Sequence, residues 1–133
     1  MSKLEQTLPS GACLVFETPP FSEALALLEV VLDELKYLEI SFNVKNIEEA
    51  VQNPVLLSNE EFDGLKRTAF HLLTSQAVVR AVETCGRRAL YNNSRLIFET
   101  VFEEEQARQD YFFVLYYLGK HSLRPFLQGL TFA

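Results

Sequence analysis

Residues 111–118 read Tyr111-Phe112-Phe113-Val114-Leu115-Tyr116-Tyr117-Leu118, eight apolar or aromatic side chains without a break. Propensity alone would permit a strand here. The lead-in from Glu103 to Asp110 is acidic and rich in Gln, Ala and Arg, and it tilts the reading to helix. At about 3.6 residues per turn, these eight side chains cover the whole circumference of a helix, whereas a small domain needs only one apolar face. Two readings follow. The helix is central and buried on all sides, or part of its aromatic surface meets a partner, since Tyr and Phe supply large contact areas at interfaces. A chain of 133 residues has limited material with which to surround such a helix, and both readings stay open at this stage.

Upstream of this stretch, Thr100 or a neighbour opens a final helical region. Glu103, Glu104 and Glu105 load its first turn, and Gly119 is expected to interrupt it before Pro125. Leu90-Tyr91-Asn92-Asn93-Ser94-Arg95-Leu96-Ile97 sets two Asn residues between short apolar runs, which reads as a small hairpin or an exposed loop. Ser75 is placed to cap a helix in which Ala77, Val78, Ala81, Val82 and Cys85 keep the helical period up to Gly86. A preceding helix is expected over roughly 60–74, and together these two read as a helical hairpin. The stretch 46–57 is a connector broken at Asn53-Pro54.

Nearer the N-terminus, Ala24, Leu27, Leu28, Val31 and Leu35 recur at spacings of three and four, predicting an amphipathic helix from Glu23 to Tyr37 capped by Ser22. Before it, Ala12 to Glu17 is an apolar, partly β-branched strand ended by Pro19 and Pro20. After it, Leu38 to Val44 alternates apolar and polar residues and is a candidate partner for that strand. The expected fold is α+β, mostly α, over one domain spanning 1–133. It has about four to five helices, a small N-terminal strand pair and a short hairpin near 90–98.

Hydrophobic residues at 48% and charged residues at 23% give a globular balance. A net charge of -6 repels phosphate backbones and anionic membrane faces, so neither nucleic acid nor membrane is an expected partner. The nearest thing to a basic patch, Arg87 and Arg88 with Arg95, Lys66 and Arg67 elsewhere, reads as scattered solvated surface. The N-terminal sequence shows no apolar stretch of signal-peptide length and no run approaches a membrane span, which predicts a cytoplasmic location. Cys13 and Cys85 then read as buried, reduced thiols, and the Asn92-Asn93-Ser94 sequon as a turn.

Catalysis needs convergent groups, and the spacing supplies none. His71 and His121 belong to no short-spaced ligand pair, so each reads as a satisfied structural histidine. The glycines at 11, 64, 86, 119 and 129 stand singly, so no Gly-rich loop cradles a phosphate. Consecutive carboxylates at Glu103 to Glu105 point in different directions on a helix. The expectation is a non-catalytic binding protein with no cofactor and no metal.

Two blocks of sequence carry a resemblance. The first is Thr7-Leu8-Pro9-Ser10-Gly11-Ala12, followed by Pro20-Phe21-Ser22-Glu23-Ala24 and Leu32-Asp33-Glu34-Leu35-Lys36. The second runs from Cys85 through Arg88, Tyr91, Asn92-Asn93 and Ile97 to Phe102-Glu103, Glu105, Ala107-Arg108, Asp110-Tyr111 and Pro125-Phe126. In order and approximate spacing they resemble the tail assembly chaperones of long-tailed bacteriophages. That resemblance implies a protein acting in the cytoplasm of an infected bacterial host. There it would bind the tape-measure protein or another tail protein, and self-association is a further expectation. Many weakly bound copies would keep the long helical tape-measure protein soluble until tail assembly. The competing expectation is a structural virion component, such as a head-to-tail connector or tail-completion subunit. The resemblance supplies no contact residues. The aromatic helix provides the candidates, and Phe112, Phe113, Tyr116 and Tyr117 are the expected partner-binding side chains.

Overall fold

A computed structural model describes residues 3–37 and 71–131. The chain opens with a hairpin, β1 (Lys3–Thr7) and β2 (Cys13–Glu17), paired antiparallel with Lys3 opposite Glu17 and Thr7 opposite Cys13. Sequence reading located β2 but not β1. Lys3-Leu4-Glu5-Gln6-Thr7 carries only one large apolar side chain, so its alternation is weak, and pairing with β2 is what makes it a strand. The loop between them is chemically explicit. Leu8 N–H donates to the Ala12 carbonyl at 2.8 Å, Gly11 N–H donates back to the Leu8 carbonyl at 2.9 Å, and Gly11 sits at φ 92°. A turn closed by one left-handed residue is a standard three-residue hairpin loop, and glycine takes that conformation without a Cβ penalty.

Along β2 the side chains of Leu14 and Phe16 are buried, while Cys13, Val15 and Glu17 are half-buried on the opposite face. The helices cover the Leu14 and Phe16 side. The first, α1 (Phe21–Tyr37), buries Ala24, Leu27, Val31 and Leu35 of the stripe that the sequence spacing predicts and leaves Leu28 half-buried. Its start differs from expectation. The Pro20 carbonyl accepts from Glu23 and Ala24 N–H, both at 3.1 Å, so the helix begins at Phe21 and Ser22 lies inside its first turn instead of capping it. Proline holds φ near the helical value and needs no donor at a helix entry, which favours the earlier start.

The next described residues, 71–74, are helical and lead to α2 (Gln76–Cys85). Ser75 caps α2 as expected, its hydroxyl accepting from Val78 N–H, and Gly86 follows the last turn. Val78, Val82 and Cys85 face inward. The expected strand at 38–44, the connector at 46–57 and all but the end of the expected helix at 60–74 lie outside the described residues.

The asparagine pair makes a hairpin. Strands β3 (Leu90–Tyr91) and β4 (Ser94–Arg95) are joined by Asn92 at φ 50° and Asn93 at φ 67°, and two positive φ values in a two-residue loop match the right-handed twist of the flanking strands. Asn92 also fastens this hairpin to β2: its side-chain oxygen accepts from Cys13 N–H and its own N–H donates to the Cys13 carbonyl, both at 2.9 Å. The result is a four-stranded antiparallel sheet in the order β1-β2-β3-β4.

The final helical region departs from expectation twice. It is split into two four-residue helices, α3 (Phe98–Val101) and α4 (Glu105–Arg108), followed by the long α5 (Tyr111–Thr131), and α5 runs through both Gly119 and Pro125. A Cβ at 119 would lie 3.6 Å from Val82, so glycine stands where α5 passes close to α2. Tertiary packing outweighs the roughly 1 kcal/mol that glycine costs in a helix. The core where sheet and helices meet is filled by Leu14, Leu27, Val82, Val114, Leu115 and Leu118, none more than 1% exposed. The fold is α+β and mostly α. No helix among the described residues is long and apolar enough to cross a membrane.

His121 lies against this core, its ring 5.3 Å from that of Phe16. Burial lowers its pKa from the usual 6.5, and Lys120 and Arg124 push the same way. The unfolded chain therefore takes up a proton more readily. The stabilisation is fully present above pH 6.5 and is lost as pH falls through the depressed native value. Denaturation midpoints measured from pH 7.5 downward are expected to decline below pH 6.5, and His121→Gln should flatten that decline.

Candidate partner-binding surface

The start of α5 is tied to the two hairpins by the residue before it. Asp110 is fully buried, and its carboxylate accepts three hydrogen bonds: from Ser10 N–H at 3.0 Å, from the Ser10 hydroxyl at 2.5 Å and from the Tyr91 hydroxyl at 2.6 Å. Its carbonyl accepts from Val114 N–H at 2.8 Å and so opens the helix. A carboxylate at a helix N-terminus is favoured by the helix dipole, and three donors offset its desolvation. Burial, followed by the bond to Asp110, raises the Tyr91 pKa above its usual 10 against a smaller opposing effect of Ser10. The β1–β2 loop, the β3–β4 hairpin and α5 thus meet at one polar hub. A second tie joins Arg88 to Glu23 through bonds of 3.0 and 3.3 Å, linking the β3 lead-in to α1. Ser10, Glu23, Arg88, Tyr91 and Asp110 all belong to the two sequence blocks that carry the resemblance, and in the fold they hold elements together.

With the start of α5 fixed, Val114, Leu115 and Leu118 turn inward and Phe112 and Phe113 turn out, 41% and 46% exposed. The four expected partner-binding side chains therefore divide. Phe112 and Phe113 present rings at the surface. Tyr116 is half-buried, stacked edge-on against Tyr117 at 5.4 Å, with Lys120 Nζ 5.9 Å from its ring. Burial, and then Tyr117, raise the Tyr116 pKa. Tyr117 packs against the hydrophobic core. The unbroken apolar run thus covers two environments, one inside and one outside.

Phe112 belongs to a row of rings. Phe98 and Phe102 lie 5.9 Å apart, Phe102 and Tyr111 5.0 Å apart edge-to-face, and Tyr111 and Phe112 5.2 Å apart. Such pairs each contribute about 0.5–1.5 kcal/mol beyond area burial. Phe98, Phe102 and Tyr111 are partly buried against the core, so the row anchors an exposed ring on a firm base.

At the Phe98 end the row borders an open groove of about 570 Å³ between α2 and the segment that follows β4. Arg80, Glu83, Thr84 and Arg87 come from one face of α2 and its C-terminal extension, and Arg95, Leu96, Ile97, Phe98 and Glu99 form the facing wall. Of the basic side chains read as solvated surface, Arg87 and Arg95 are exposed but lie along one groove with Arg80, while Lys66 and Arg67 lie outside the described residues. Arg88, by contrast, is committed to Glu23. Spacings of three and four from Arg80 to Arg87 are a signal already in the sequence, but nothing there says that Arg95 lies opposite.

His71 Nε2 lies 3.5 Å from Glu34, and Cys85 is buried with its thiol against the Glu23 carbonyl at 3.5 Å. Burial is the leading cause that raises the Cys85 pKa, which disfavours the nucleophilic thiolate. Cys13 is a free, half-buried thiol. Among the described residues no group of three His, Cys, Asp or Glu side chains could hold a metal ion. What the fold defines is a helical domain on a small antiparallel sheet with an aromatic and cationic face. Comparison with family models, with curated proteins and with solved structures finds no match to this chain.

Proposed function

We propose that this chain is a non-catalytic binding protein of the tail assembly chaperone kind, which holds the apolar stripe of a long helical tail protein, the tape-measure protein, in solution before the tail tube forms. The observation that carries the reading is the exposed pair Phe112 and Phe113 on the longest described helix, whose core side is already supplied by Val114, Leu115 and Leu118. Large exposed rings on a rigid base are suited to capturing apolar side chains. The sequence resemblance supplies the particular partner. Each site is small, so holding an extended chain requires many copies acting through effective concentration, and the net charge of -6 favours solubility of those copies.

The test is capture of tagged protein from phage-producing cells before particles mature, followed by mass spectrometry of what is bound and of the finished particles. Co-purification of a very long helical tail protein, with the tagged chain nearly absent from particles, is the expected result. Stoichiometric retention in particles would overturn it in favour of a structural virion component. The double variant Phe112→Ser with Phe113→Ser should fold like the wild type and lose the captured protein. If it captures as well as wild type, the phenyl pair is not the binding surface.

A further inference from the structure

We propose that the groove between α2 and residues 95–99 receives an acidic, amphipathic helical segment of a partner protein, with carboxylates on Arg87 and Arg95 and an apolar side chain on Ile97. This rests on the reading of the chain as a protein-binding module and names the chemistry of what it binds. Three of the chain's twelve basic side chains line this one groove, in a protein of net charge -6. The arginines differ in state. Arg80 lies close enough to Glu83 to act on its titration, whereas neither Arg87 nor Arg95 forms an ion pair with any carboxylate among the described residues. Both are exposed and flank the groove with their guanidinium donors uncommitted.

Between them lies apolar surface: Ile97 is 46% exposed, Phe98 is half-buried beside it, and Leu96 is buried beneath. Paired cations around an apolar strip match a helix with an apolar stripe edged by carboxylates, the helix-in-groove mode of recognition. Guanidinium groups favour bidentate binding of carboxylates. Glu83 and Glu99 also line the groove, and Glu83 lies beside Arg80, so Arg87 and Arg95 are the cations left to meet a partner's carboxylates. The exposed Ile97 between the two arginines favours an amphipathic protein segment over a nucleic acid strand.

Two fluorescent helical peptides of about 18 residues, one built from Leu and Glu and one from Leu and Lys, would be titrated by anisotropy against three full-length proteins: wild type, Arg87→Glu with Arg95→Glu, and Phe112→Ser with Phe113→Ser. The Leu/Glu peptide is expected to bind wild type, to weaken with added salt, and to lose about tenfold or more in affinity to the double arginine variant. These arginines are exposed, and circular dichroism of the variant should match wild type. Equal or tighter binding of the Leu/Lys peptide overturns the proposal, as does an unchanged affinity in the arginine variant, or displacement of the Leu/Glu peptide by an oligothymidylate. If the arginine variant fails to discriminate while the phenyl variant still loses its tail partner in the capture experiment, the groove assignment falls and the binding-module reading stands. If neither variant loses a partner in either assay, both fall.

Discussion

Asp110→Ala is expected to destabilise the fold by about 1–3 kcal/mol, because it removes a buried acceptor that holds donors from two other segments. Ser10 N–H, the Ser10 hydroxyl and the Tyr91 hydroxyl all converge on this one carboxylate, which is fully buried. Total stability of a domain of this size is about 5–15 kcal/mol, so the loss is a large fraction. Urea denaturation should show a lowered midpoint with little change in slope. Asp110→Asn keeps the shape but presents an amide group to hydrogen-bond donors, so it should recover only part of the loss. Tyr91→Phe removes a single donor and should cost about 1 kcal/mol. Combining Tyr91→Phe with Asp110→Ala should cost less than the sum, since the phenol no longer needs an acceptor. An Asp110→Ala variant within about 0.5 kcal/mol of wild type would mean that water replaces the carboxylate and that the hub does not hold the fold.

The second large effect lies where α2 ends against α5. Leu118 is 1% exposed, and a Cβ built on Gly86 would collide with its Cδ1 methyl. Leu118→Ala should cost about 2–5 kcal/mol through lost transfer energy and the cavity left behind. Gly86→Ala should cost about 1–3 kcal/mol by overpacking. The backbone at 86 sits at φ -91°, which alanine accepts without strain, so the penalty is steric contact alone. The two changes are complementary in volume, and the double variant should be more stable than the sum of the single losses predicts. Strict additivity in thermal or urea unfolding would show that the glycine is not there to admit Leu118.

Much of the local structure was legible in the chain. The stripe Ala24, Leu27, Val31 and Leu35, the cap at Ser75 with Gly86 ten residues beyond the first helical position, and the asparagine turn each carry their own chemistry within a few residues. Where sequence reading went astray, a distant contact had overridden a local preference. Lys3–Thr7 is a strand through its pairing with β2. Gly119 and Pro125 signal a helix end by propensity, yet α5 continues through both.

The candidate site divides in the same way. The excess of aromatic residues in 111–118 was visible as more apolar surface than one helix face requires, but which rings would face out was not. The packing of Val114, Leu115 and Leu118 against the core decided that, while Asp110, bonded to Ser10 and Tyr91 100 and 19 positions away, ties the start of α5 to the two hairpins. The meeting of Arg87 with Arg95 depends equally on the β3–β4 hairpin folding back beside α2. The sequence by itself determined the core stripe of α1, the cap of α2, the asparagine turn and the mostly helical α+β class, because periodicity, caps and left-handed turn residues act over a few positions. Only the tertiary structure decided that Phe112 and Phe113 lie outside while Leu115 and Leu118 lie within, because the facing of a helix with apolar residues all round is set by what packs against it.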